Sequence, residues 1–388
     1  PLNDMSTFNG ALSLSEAAPL GYYQLSVTME GEDGFWMGTS FQVAEYRKPQ
    51  FEVSIGTDRQ EYLQGDTIAV HVDAEYYFGG PVADAKVKWF VLTEDASFRY
   101  KGKGWYDFTD YDWTQERYYG YWGGVVTEGE GQTGADGTFT FRVPADIADK
   151  INSQRYTIEA SVTDTNDQVV STQTAVIVHK GLFYVGLAPQ SYVGTVGEEV
   201  KIDVITVDWE SQPTAGVSVT LVYYEHEWYS VEEKADDGRF YWTSKYRDTA
   251  VFTETVKTGE DGKSVGAFVP KKGGVYKIVG TAEDEEGNSL RSSTFVWVSG
   301  EKFINWRQEN NDRIDLVADK KLYEVGDTAE VLVPSPYQGE VLALVTIERG
   351  KVLSHELMTL EGNSEKLFVP ILPGYVPNVF VSVVLVKA

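Results

Sequence analysis

No cysteine occurs anywhere in the 388 residues. The chain therefore has no disulfide framework, no thiolate nucleophile and no cysteine ligand for zinc. This leaves the compartment open, because bacterial envelope proteins often do without disulfides, whereas an animal secreted protein of this size usually carries some. Histidine is scarce: His71, His179, His226 and His355 are far apart, and no two stand at metal-ligand spacing. No apolar run approaches the roughly 18 residues of a membrane span. Residues 1–18 have neither the basic start nor the apolar centre of a signal peptide. Basic residues are outnumbered, 33 against 59 acidic ones, for a net charge of −26. Such a chain repels phosphate backbones and anionic lipid, so nucleic acid is excluded as a natural partner and the acid is read as solubilising surface. Helical periodicity is missing too, except for a short stretch at residues 146–152.

What is present is hydrophobic and repetitive. Hydrophobic residues make up 42% of the chain, a globular composition, and the length suits two to four domains of about 100–150 residues. Three segments open alike. Gly65 is followed by Ile68, Val70 and Val72, Gly197 by Val200, Ile202 and Val204, and Gly326 by Ala329, Val331 and Val333. Alternation of this kind buries one face of a strand, and the glycine is expected at positive φ in the turn that feeds it. Pro81 and Pro213 follow at equal distances from Gly65 and Gly197, each ahead of another alternating run; the third copy has the run, at residues 341–347, without the proline. Asp136-Gly137 and Asp261-Gly262 then precede further alternating runs and read as hairpin turns. Residues 1–46 match only the rear half of such a unit. Boundaries are expected near residues 47–50, 179–181 and 299–302, with linkers of a few residues, so that successive units touch. Short strands with regular turn signals predict tandem antiparallel β-sandwiches.

Chemistry-bearing patterns are weak. No serine stands in a base-activated setting, and the abundant carboxylates follow from the acidic composition. His226, between Glu225 and Glu227, is the best metal candidate, yet in a strand those carboxylates point to the face opposite the imidazole. Two acidic turns, residues 164–167 and 283–288, invite calcium but lack a calcium loop's run of ligands and fall where each unit needs a hairpin turn. We therefore assign no catalytic, cofactor-binding or metal residues and no cofactor. The most unusual stretch is aromatic: Phe98, Tyr100, Trp105, Tyr106, Phe108, Tyr111, Trp113, Tyr118, Tyr119, Tyr121 and Trp122, with a similar cluster at residues 228–242. Because two units share the feature, packing against a sheet or a neighbouring domain is the first reading and an exposed contact surface the second.

Several segments carry a family resemblance. Residues 41–53 (Phe-Gln-Val-Ala-Glu-Tyr-Arg-Lys-Pro-Gln-Phe-Glu-Val) resemble the junction between consecutive macroglobulin-like domains of the alpha-2-macroglobulins. Residues 76–89 are similar to the central strands of the next such domain, and residues 319–336, 343–350 and 377–383 to a later one that leads toward the bait region. The resemblance covers most of the chain. It implies immunoglobulin- or fibronectin-like macroglobulin domains at 47–180, 181–299 and 300–388, preceded by the C-terminal half of one at 1–46. It further implies a non-catalytic frame segment of a bacterial protease inhibitor that traps endopeptidases and guards the cell envelope. Such proteins sit in the periplasm or on the cell surface, often lipid-anchored. Proteases would be engaged through bait and thioester regions outside this chain, and any membrane anchor would also lie outside it. With no cysteine there is no thioester motif here, and no long polar stretch reads as a bait. Two other readings are a surface adhesin or stalk of immunoglobulin-like repeats, and an array of carbohydrate-binding modules that uses residues 98–122.

Overall fold

A computed structural model describes residues 10–11, 14, 21–28, 36–43, 50–110, 124–234, 240–307 and 313–387. Among these the only helix is one 3-10 turn, Pro373–Tyr375. All other regular structure is strand, as the alternating sequence predicts. β1 (Gly21–Thr28) and β2 (Trp36–Val43) form an antiparallel pair. The first sandwich contains β3 (Phe51–Thr57), β4 (Glu61–Leu63), β5 (Thr67–Tyr76), β6 (Lys86–Asp95), β7 (Val125–Gln132), β8 (Thr138–Pro144), β9 (Gln154–Thr163) and β10 (Val169–His179). Its sheets run β3-β5-β8 and β4-β10-β9-β6-β7.

The second sandwich repeats that plan. It contains β11 (Phe183–Pro189), β12 (Val193–Thr195), β13 (Val200–Asp208), β14 (Ser218–Lys234), β15 (Phe240–Lys257), β16 (Lys263–Phe268), β17 (Gly274–Glu283) and β18 (Ser289–Ser299), in sheets β11-β13-β16 and β12-β18-β17-β14-β15. The third contains β19 (Val317–Ala318), β20 (Thr328–Pro334), β21 (Val341–Glu348), β22 (Val352–Leu360), β23 (Ser364–Pro370) and β24 (Phe380–Val386), in sheets β19-β20-β23 and β22-β21-β24. Pairing is antiparallel except where the short strands β4 and β12 run parallel to the ends of β10 and β18. In the third sandwich no described strand takes the place of β10 or β18 beside β24. Leu322 and Val325, near where β4 and β12 would correspond, stand 69% and 50% exposed.

Each core follows from the two-residue period. On β5, Ile68, Val70, Val72 and Ala74 are fully buried while the residues between them are not. In the first sandwich Ile68 and Val70 meet Tyr156, Ile158, Val176 and Val178 across the gap between the sheets. Burying one such aliphatic side chain is worth about 1.5–3 kcal/mol, so the alternating runs hold the two sheets together. Gly65, Gly197 and Gly326 all have positive φ, +90°, +85° and +101°, as their place before a strand predicts.

Two local expectations are corrected. Residues 146–152 are not helical; they form turns, with the Asp146 carboxylate accepting from the Ala148 N–H. The Asp-Gly turns are tight, but they do not join paired neighbours. β7 pairs with β6 and β8 with β5, so the turn at Gly137 carries the chain from one sheet to the other, and the turn at Gly262 does the same between β15 and β16. Their carbonyls explain this: Gly137 accepts from the Ala74 N–H on β5, and Gly262 from the Thr206 N–H on β13. The acidic turns at residues 164–168 and 284–288 are tight hairpins, joining β9 to β10 and β17 to β18.

Candidate functional site at the junctions between sandwiches

The groups that stand out from ordinary sandwich cores collect where one unit meets the next. At the end of β10, His179 is 3% exposed and stacks on Trp209 with ring centroids 4.0 Å apart. Its Nδ1 lies 2.7 Å from the Tyr184 hydroxyl, which lies 3.0 Å from Ser153 Oγ, and its Nε2 lies 3.4 Å from Glu61. The Trp209 indole N–H donates to the Gly181 carbonyl at 2.8 Å. The linker after His179 is thus gripped by both units. Burial pushes the imidazole down from 6.5 to about 4, since a charged ring there would lose its water. The same burial raises the Tyr184 phenol to about 12.

One of the two suspected calcium turns belongs to this junction. Asp284 Oδ1 accepts from the backbone N–H groups of Glu286 and Asn288, and Oδ2 accepts from the Asn288 side chain and, at 2.9 Å, from the Leu182 N–H of the linker. Burial raises its pKa, but these hydrogen bonds outweigh the burial and hold the carboxyl below the usual range. Asp164 makes the corresponding bonds to Asn166 and Gln168. Both carboxylates accept hydrogen bonds within their own turns, and Asp284 accepts one from the linker as well. Among the described residues no group of three or more His, Asp or Glu is placed to hold a metal ion.

Between the second and third sandwiches the seal is Trp306, Ile304, Val193 and Leu332, all under 8% exposed. Asn363 ties them together. Its Oδ1 accepts from the Ile304 N–H at 3.1 Å, its Nδ2 donates to the Ile304 carbonyl at 2.7 Å, and its own carbonyl accepts from the Trp306 indole at 2.6 Å. Ser364 bonds the backbone of Gly300 in both directions, and Lys366 reaches Thr195 at 2.9 Å. Sequence reading missed Asn363, which carries no motif.

His226 pairs through Nδ1 with Asp248 on the neighbouring strand at 2.5 Å, and packs beside Trp228, Tyr246 and Phe295. As expected for a strand, Glu225 and Glu227 turn away, to Lys272 and Arg247. Within the aromatic stretch, Phe98, Tyr100, Tyr106 and Phe108 pack on Tyr184, Ile205, Val207 and Trp209 of the second sandwich. Trp105 alone of the described members is largely exposed, at 61%. Tyr111, Trp113, Tyr118, Tyr119, Tyr121 and Trp122 lie outside the described residues. No described helix is long and apolar enough to cross a membrane.

Comparison with known proteins points one way. Residues 314–388 match the family model of the alpha-2-macroglobulin bait region domain. An alpha-2-macroglobulin homolog of a Nostoc species is 24% identical over 99% of this chain, and alpha-2-macroglobulins of Thermotoga maritima and Ralstonia nicotianae are 26% and 25% identical over 56% and 90% of it. The chain spans only 20%, 12% and 19% of those proteins. The native conformation of the Escherichia coli alpha-2-macroglobulin, solved by electron cryomicroscopy, shares the fold over 96% of this chain and 24% of its own, with a TM-score of 0.50 at 14% identity.

Proposed function

We propose that the chain belongs to the alpha-2-macroglobulin family and is a non-catalytic segment of the frame of a bacterial protease trap. On this reading residues 47–180, 181–299 and 300–388 are successive macroglobulin-like domains, residues 1–46 are the rear half of another, and the last domain, which resembles the bait region domain, leads toward the bait. The observation that carries the reading is the pair of junctions. The first linker is bonded to both neighbours, through Ser153 on one side and Asp284 and Trp209 on the other, and the second is pinned to the third sandwich at Ile304 and Trp306, which suits a frame that must pass a movement from one part to another. The partners are then proteases, engaged through segments beyond this chain. The place of action is outside the cytoplasm, in the periplasm or at the cell surface, in defence of the envelope.

The test uses the full-length protein. It is mixed with a broad-specificity protease, with and without methylamine pretreatment, and mass, free thiol and retained protease are followed by intact mass spectrometry. One early cut C-terminal to Ala388 with protease retained is the expected result. A new thiol would add a thioester to the mechanism, and its absence would make the trap purely conformational. Scattered cuts with nothing retained would overturn the proposal and favour an adhesin.

A further inference from the structure

The three sandwiches differ most at one topological position, the connection between an edge strand and its neighbour: β6–β7, β14–β15 and β21–β22. In the third sandwich residues 349–351 suffice to join the strands. In the second the strands simply lengthen into a hairpin. In the first, the connection runs from residue 96 to residue 124. Joining two neighbouring strands does not require so long an excursion.

The described part of that excursion, residues 96–110, leaves its own sandwich and lies on the next. Asp107 and Leu187 exchange both backbone hydrogen bonds, at 2.7 and 2.9 Å, which sets one residue beside the edge strand β11 as an isolated bridge. Phe108 packs against Gly186, where a Cβ would stand 2.6 Å from its ring. The segment then crosses β18, whose Ser293 N–H donates to the Thr109 carbonyl at 3.2 Å. Asp107 Oδ2 accepts from the Thr294 hydroxyl at 2.7 Å, and Oδ1 lies 3.9 Å from Lys321 of the third sandwich. Asp110, with its side chain 4% exposed, meets Lys277 at 2.9 Å and Arg291 at 2.6 Å. Its own N–H is held by Asn152 of the first sandwich, which also binds Asp95 at the root of the excursion.

We propose that residues 96–110 are a staple that locks the first sandwich onto the second, with Asp110 as its buried anchor and Asp107 reaching to Lys321 of the third. Neighbouring domains in one chain move relative to each other unless a large or well-anchored interface prevents it. A carboxylate this deeply buried is tolerable only while both cations remain in place, so the anchor resists partial release. The staple concerns the shape of this chain, whatever the parent protein traps, and the two proposals fail separately.

The chain has no cysteine, so spin labels report only from chosen sites. Val169→Cys, Val265→Cys and Leu357→Cys place labels at exposed positions on the first, second and third sandwiches. Pulsed dipolar spectroscopy on the double variants should give narrow distance distributions for all three pairs. Adding Asp110→Asn should broaden the 169/265 and 169/357 distributions at least about twofold, as free relative motion of neighbouring domains requires. The 265/357 pair, held by Trp306 and Asn363, should stay narrow. If Asp110→Asn unfolds the second sandwich, seen as loss of amide protection in β17 and β18, Asp110→Asn combined with Lys277→Met decides, because the pair removes the anchor and leaves no buried charge unpaired. Unchanged 169/265 and 169/357 distributions in the folded variant would overturn the staple.

Discussion

Single residues at the junctions carry consequences that can be measured. His179 is buried with its pKa near 4, against 6.5 in an unfolded chain. Between those values the unfolded chain binds a proton that the folded chain refuses. The contribution is therefore full above pH 6.5 and is lost as pH falls toward 4, amounting to at most about 3 kcal/mol. The urea midpoint of the first and second sandwiches should fall over that window, and His179→Phe, which can still stack on Trp209, should flatten the fall. Parallel pH curves for parent and variant would show that the ring does not titrate this way. Tyr323 gives a second case. Burial and then its bond to Asp319 hold its phenol well above the usual range. Its hydroxyl donates to Asp319 at 2.6 Å and accepts from the Lys320 N–H at 3.1 Å. Tyr62, Asp58 and Arg59 repeat this circuit in the first sandwich. Tyr323→Phe should cost about 1–2 kcal/mol in the third sandwich by chemical denaturation, the ordinary worth of such bonds.

Among the elements, strands were readable and their connections only partly so. Alternation placed β5, β13 and β20 because a period of two leaves one face nowhere to go but inward. The glycines before them were equally legible. Gly326 has φ +101°, and a Cβ there would meet nothing within 4 Å, so Gly326→Val tests backbone strain alone. It should cost about 1–3 kcal/mol and lower the melting of the third sandwich while leaving the other two unchanged. An unaltered melting curve would count against the turn. The Asp-Gly turns were misread for a physical reason. A tight turn fixes where the chain reverses, but the strand it delivers pairs wherever free backbone groups wait, and at Gly137 and Gly262 they wait on the opposite sheet. The candidate site was barely legible. Asn363 and Asp110 act by position, and no local pattern marks a residue whose partners stand far along the chain.

At the scale of the molecule, the junctions decide behaviour. Asn363 is 5% exposed and satisfies both sides of the Ile304 backbone. Asn363→Leu would strand the buried Ile304 N–H, while the Ile304 carbonyl keeps the Trp306 N–H, at about 1–3 kcal/mol. Calorimetry should then resolve the third sandwich melting ahead of the rest. A single unsplit transition would mean that the second junction does not couple the units. The aromatic stretch shows the same scale at work, since the described rings other than Trp105 pack against the neighbouring sandwich.

The sequence by itself determined an all-β chain of repeated sandwiches, with no disulfides and with turns at its glycines, because those properties rest on composition and on a two-residue period. Its ordered motifs also pointed to the family. Only the tertiary structure decided which sheet each strand joins, that the acidic turns spend their carboxylates on backbone N–H groups, and that a connection of the first sandwich is anchored in the second. These depend on meetings between residues such as Asp110 and Lys277, or Ile304 and Asn363, that are distant in the chain, and such meetings leave no periodicity to read.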